Sequence, residues 1–142
     1  TRDLGLALLL DFIPPADMDR TATTIARSMA MTYELGIFPD WWKLPAPTSD
    51  HWDAEWVAWS RVIDENDPHC RGVLLLGLAA PQNEVKASLK RASEQPLCKG
   101  FAVGRTIFGA AAEGWFSGAI TDDEAKDMMA TSFDDLIAAW RS

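Results

Sequence analysis

The segment Trp41-Trp42-Lys43-Leu44-Pro45 puts a lysine between aromatic residues and a Leu-Pro step. An ammonium buried among indoles is poorly solvated, which frees the neutral amine to attack a carbonyl group. The alternative is a strand-end lysine whose stem snorkels to solvent. Asp11 closes an apolar run ahead of Phe-Ile-Pro-Pro, with Asp19 and Arg20 in the turn that follows. A carboxylate there suits proton transfer beside a lysine, and equally suits capping or pairing with that lysine. Gly104-Arg105 closes another apolar segment and opens a helix, where main-chain N–H groups and a guanidinium fork are the chemistry of phosphate binding. Gly77 occupies the matching point of the preceding apolar segment, where a missing Cβ lets a phosphate approach the backbone. Both glycines are equally explained by tight turns, and Arg105 by pairing with a carboxylate such as Glu113. His51 lies between Asp50 and Asp53, but those aspartates read as helix-start residues and no metal site is expected.

The elements that would position these residues follow from hydrophobic pattern. Leu6–Phe12, Trp41–Leu44, Val73–Leu78 and Gly100–Val103 are short continuous apolar runs bounded by Pro, Gly or Asp. Such runs are expected of strands buried on both faces of a parallel sheet. Side chains alternate along a strand, so Trp41 and Lys43 share one face while Trp42 and Leu44 share the other. Trp41 and Trp42 are then the tryptophans placed to shape a pocket. Helices are expected over Asp17–Leu35, with Ile25, Met29 and Tyr33 inward and Gly36 as a left-handed stop. Others are expected over Asp50–Asn66, with a Trp52, Trp56, Trp59, Ile63 stripe, and over Gln82–Glu94, with Val85 and Leu89 inward. Thr106–Phe116 is apolar almost all round, and Thr121–Trp140 opens on a Thr121/Glu124 capping box.

The order is strand-helix repeated four times with one added helix, an α/β fold with a parallel sheet. Strand starts are spaced by about 35, 32 and 27 residues, and a (β/α)8 barrel averages roughly 31 residues per unit. The chain thus holds about half of such a barrel, entering just ahead of a strand as though truncated. A small doubly wound sheet is the rival architecture. In parallel α/β folds the working residues stand at the carboxyl ends of strands, which is where Asp11, Lys43, Gly77 and Gly104-Arg105 fall.

Composition narrows the function. The net charge of −8, from 13 basic and 21 acidic residues, opposes binding to nucleic acid or to an anionic membrane surface. The apolar run Leu4–Leu10 is far short of the roughly 20 residues that span a bilayer. Cys70 and Cys98 make neither a disulfide framework nor a zinc spacing, so a reducing cytoplasm is the expected setting.

Taken together, FPDWWKLPAP, GVLLLGLAAP and KGFAVGRTIF resemble the aldolase-like domain found C-terminal to 5-dehydro-2-deoxygluconokinase in myo-inositol catabolism. That domain is similar in turn to class I tagatose-bisphosphate aldolases, which are (β/α)8 barrels. The resemblance covers nearly the whole chain, from LLLDFIPP to LIAAW, as the second half of the barrel. It implies a Schiff-base lysine at Lys43, a carboxylate at Asp11 where the aldolases carry Glu, and phosphate binding by Gly77, Gly104 and Arg105. It implies no cofactor or metal. The implied reaction cleaves 2-deoxy-5-keto-gluconate 6-phosphate to dihydroxyacetone phosphate and malonate semialdehyde. The implied partners are the sugar phosphate, the other barrel half and an N-terminal sugar kinase domain in the same polypeptide; separately, half a barrel alone is expected to be inactive or to pair with a second copy that covers its open strand edges. Two alternatives stand beside this: a non-catalytic sugar-phosphate-binding scaffold of a kinase polypeptide, and a complete small regulatory α/β domain.

Overall fold

A computed structural model describes residues 4–15 and 17–142. The elements are β1 (Leu9–Asp11), α1 (Thr24–Glu34), β2 (Trp41–Pro45), a short 3-10 turn (Ser49–His51) and α2 (Trp52–Asn66). They continue with β3 (Val73–Leu76), α3 (Gln82–Ala92), β4 (Cys98–Phe101), α4 (Arg105–Phe116) and α5 (Asp122–Arg141). The four parallel strands alternate with helices in one sheet of order β1-β2-β3-β4. That order runs straight, without the reversal that marks a doubly wound sheet, and is compatible with half a barrel. The chain divides into two compact units, Thr1–Leu74 and Leu75–Ser142. Among the described residues no helix is long and apolar enough to cross a membrane.

In the first unit, Ile25, Met29 and Tyr33 recur every four residues on α1 and are buried, as are Trp52, Trp56, Trp59 and Ile63 on α2. The Trp56 ring stands edge-on to Trp59 at 4.7 Å and to Trp52 at 6.4 Å. Trp42 and Leu44 are fully buried on one face of β2. Trp42 Nε1 donates to the Tyr33 hydroxyl at 2.9 Å, which fixes that face toward α1. Alternation then directs Lys43 to the opposite face. Helix α1 ends as expected at Gly36, whose φ of 74° sets up hydrogen bonds from Gly36 N–H to Tyr33 and from Ile37 N–H to Thr32. This pair of bonds is a Schellman stop.

Three boundaries in this unit differ from expectation. β1 spans three residues instead of Leu6–Phe12, because only Leu9, Leu10 and Asp11 find register partners, at Trp41, Trp42 and Lys43. It is an edge strand and is not buried on both faces: Leu9 and Asp11 are exposed, as are Leu4 and Leu6 ahead of it. Helix α1 starts at Thr24 rather than Asp17. The intervening residues form a loop in which Thr21 N–H donates to Thr24 Oγ1 at 2.9 Å and Arg20 turns away toward α2. β2 continues one residue further than expected, to Pro45.

In the second unit, α3 buries Val85, Leu89 and Ala92, and α5 buries Ala125 and Leu136. Lys86 Nζ to Asp135 Oδ2 at 3.1 Å and Gln82 Nε2 to the Ser132 carbonyl at 3.2 Å tie the two helices together. The capping box at Thr121 and Glu124 is present. α4 buries only Ala111, leaving Phe108, Trp115 and Phe116 exposed. β3 stops at Leu76 instead of Leu78, because Leu78 and Ala79 take left-handed φ values of 48° and 58° and turn the chain. β4 spans Cys98–Phe101 rather than Gly100–Val103. Buried Cys98 anchors its start, and Ala102 N–H still bonds the Leu75 carbonyl at 2.8 Å just beyond its end.

Candidate functional site

The parallel register of β1 on β2 sets Asp11 directly opposite Lys43. Their side chains meet: Lys43 Nζ donates to Asp11 Oδ2 at 2.7 Å. The backbone closes the same point, with Phe12 N–H donating to the Lys43 carbonyl at 3.0 Å. Lys43 is therefore not sealed among indoles as the sequence pattern implied. Its side chain is 24% exposed and Asp11's is 36%. The reason is alternation: the buried indole of Trp42 lies on the other face, while Trp41, on the lysine's face, is only half-buried. The pair thus joins an amine to a carboxylate within reach of solvent, with Asp11 the last residue of β1 and Lys43 the middle residue of β2 rather than at its expected carboxyl end.

A second charged group lies in the connections that leave these strands. Arg20 Nη2 donates to Glu55 Oε2 at 2.8 Å, and its Nη1 to the Ala46 carbonyl at 3.2 Å. Glu55 is fully buried, and its Oε1 accepts from Thr48 N–H at 2.9 Å and from Thr48 Oγ1 at 3.3 Å. Sequence reasoning gave neither residue a role. The available signal was Glu55 itself, a carboxylate three residues after Trp52 and four before Trp59, on the apolar stripe of α2.

In the second unit, Gly104 is the residue before α4 and Arg105 is its first residue, as expected. Arg105 is exposed, and no ion pair among the described residues involves it, the expected alternative partner Glu113 included. Gly77 begins a tight turn closed by Ala80 N–H to the Gly77 carbonyl at 2.8 Å. A Cβ on Gly77 would stand 2.9 Å from Val103 Cγ1 and 3.3 Å from Thr106 Oγ1. Thr106 Oγ1 in turn donates to the Ala80 carbonyl at 3.0 Å, so this turn is fastened to the first turn of α4. Close packing therefore accounts for Gly77. A Cβ on Gly104 would meet the exposed Phe108 ring at 3.1 Å, a contact relieved if the ring shifts by a few tenths of an ångström.

The remaining candidates are structural. Asp50 and Asp53 stand in the first turns of the 3-10 segment and α2, and no metal-binding group of His, Cys, Asp and Glu occurs among the described residues. Both cysteines are free. Burial pushes the Cys98 thiol up to about 11 and raises the Cys70 thiol as well, which keeps both protonated and unreactive near neutral pH. Tyr33, desolvated beside Trp42, also has its hydroxyl pKa raised.

A family model described as "Uncharacterized protein conserved in bacteria (DUF2090)" matches residues 1–142, and the chain belongs to that family. No curated protein and no solved structure matches it.

Proposed function

We propose that this DUF2090 member is a Schiff-base (class I) sugar-phosphate aldolase domain, and that its straight parallel sheet is the C-terminal half of a (β/α)8 barrel. The observation that carries the reading is the 2.7 Å contact between Lys43 Nζ and Asp11 Oδ2. An amine and a carboxylate that can move protons meet on adjacent parallel strands, the carboxylate at the carboxyl end of its strand where such folds work.

The Lys43 ammonium gives its proton to solvent, and the freed amine adds to the substrate ketone. Loss of water gives an iminium. Asp11 takes the proton of the β-hydroxyl as the bond between that hydroxyl's carbon and the α-carbon breaks. The electron pair moves into the iminium, giving an enamine, and the aldehyde leaves. Protonation of the enamine carbon and hydrolysis release the second product and restore Lys43. Asp11 is the carboxylate that moves these protons. Arg105 and the backbone near Gly77 and Gly104 take the phosphate, a role carried by the resemblance.

The substrate of this reading is 2-deoxy-5-keto-gluconate 6-phosphate, cleaved to dihydroxyacetone phosphate and malonate semialdehyde in the cytoplasm. Its partners are the other barrel half, an N-terminal sugar kinase domain in the same polypeptide, and a second copy of the chain. A second reading, a non-catalytic sugar-phosphate-binding scaffold of that kinase polypeptide, is favoured by one feature. The same ion pair also serves as a plain tie holding an edge strand.

Release of dihydroxyacetone phosphate, followed by a coupled reductase assay, separates the two. Wild type forms it and Lys43→Arg does not, since a guanidinium cannot make the imine. Phosphate-ligand binding that depends on Arg105, with no product formed, would establish the scaffold instead.

A further inference from the structure

Arg20 and Glu55 are a charge pair withdrawn from water, with side-chain exposures of 14% and 0%. Desolvating two charges is costly, and an apolar pair of similar volume often serves stability as well or better. What the pair contributes is geometry. Arg20 stands in the connection from β1 to α1, Ala46 and Thr48 in the connection from β2, and Glu55 in the first turn of α2. One guanidinium and one carboxylate bond all three segments, through Ala46 O, Glu55 Oε2 and the two Thr48 donors. Arg20 Nε has no partner among the described residues. The guanidinium is thus committed through its two Nη groups to the β2 connection and to α2. Ala46 follows Lys43 by three residues, across Leu44 and Pro45, which are both buried and leave that short link little freedom.

We propose that Arg20 and Glu55 are positioning residues that keep Lys43 in contact with Asp11. They clamp the β2 connection, three residues past Lys43, to the connection that leaves β1, nine residues past Asp11. Neither touches substrate. Their value to catalysis rests on the aldolase reading, but their effect on Lys43 does not.

The test uses the full chain and the double variant Arg20→Met/Glu55→Leu, with the single variant Arg20→Lys beside it. Reductive methylation with formaldehyde and cyanoborohydride is followed peptide by peptide, with exposed Lys90 as the internal reference. Thermal melts run in parallel. The double variant should melt cooperatively at or above the wild-type temperature, while Lys43, released from Asp11, labels about fivefold faster relative to Lys90. Arg20→Lys, which keeps the charge against Glu55 and loses the fork, should fall between. A folded double variant with the wild-type labelling ratio overturns the proposal. If the double variant does not fold, a wild-type ratio in Arg20→Lys overturns it equally. Failure of the aldolase reading looks different: wild type forms no dihydroxyacetone phosphate, while the labelling ratios still separate.

Discussion

Lys43 lies directly opposite Asp11 in the parallel register of β2 on β1, and the two side chains meet at 2.7 Å on the face of β2 turned away from Trp42. That placement separates two demands on one short strand. Trp42 and Leu44 hold β2 in the core, so Lys43 need not contribute to burial and is available for chemistry.

Lys43→Met should accordingly leave the fold nearly intact. A partly exposed ion pair contributes at most about 1 kcal/mol, so urea midpoints of variant and wild type should nearly coincide while aldol cleavage is abolished. A large loss of stability would make the pair a structural tie.

Asp11 should behave as a proton carrier. Asp11→Asn keeps the size and a hydrogen-bond acceptor for Lys43 but removes the base, and should lower kcat by about 10²–10⁴. Asp11→Glu keeps the carboxylate and should retain more activity than the amide. Steady-state kinetics on the sugar phosphate check the order wild type, Glu, Asn, with the first two open to exchange because Glu reaches about 1.5 Å further.

The turn after β3 gives two stability predictions of opposite sign. Gly77→Ala drives a Cβ to 2.9 Å from Val103 Cγ1 and should cost about 1–3 kcal/mol; adding Val103→Ala should recover part of it. Ala79 holds a φ of 58°, so Ala79→Gly should stabilise by about 0.5–1 kcal/mol, the relief of left-handed backbone less the entropy of glycine. Denaturant titrations measure both.

Burial of Cys98 gives a pH dependence. Its thiol is raised from 9.0 to about 11 chiefly by desolvation. A group raised in the folded state stabilises the fold below its unfolded value, and that contribution disappears as pH climbs through the folded one. Urea midpoints should therefore fall between pH 9 and 11, and Cys98→Ala should fall less steeply. At neutral pH the native thiol should resist iodoacetamide and react once the chain is unfolded.

What the sequence discloses depends on whether the signal is local. The alternation of Trp41-Trp42-Lys43-Leu44 tells which side chains share a face, but not that the Trp42 and Leu44 face is the buried one, and the meeting of Asp11 with Lys43 depends on a register that no local pattern carries. The extent of β1 is not legible in the same way. Leu6 to Leu10 is as apolar as a buried strand, yet pairing is set by the partner, and β2 offers only Trp41, Trp42 and Lys43 to it. Arg20 is missed for a related reason: its partners stand 26 and 35 residues away, beyond any periodic pattern. Gly77 is legible as a special position, but the side chains that crowd a Cβ there, Val103 and Thr106, emerge only in three dimensions.

The most direct measurement is borohydride trapping. The full chain is incubated with dihydroxyacetone phosphate, reduced and digested, and the peptide carrying Lys43 is weighed. The proposed chemistry predicts a reduced imine adduct on Lys43 and on no other lysine, absent from Lys43→Arg and weakened in Arg105→Lys. A wild-type chain that carries no adduct on the Lys43 peptide, or carries it equally on Lys90 and Lys126, contradicts the account.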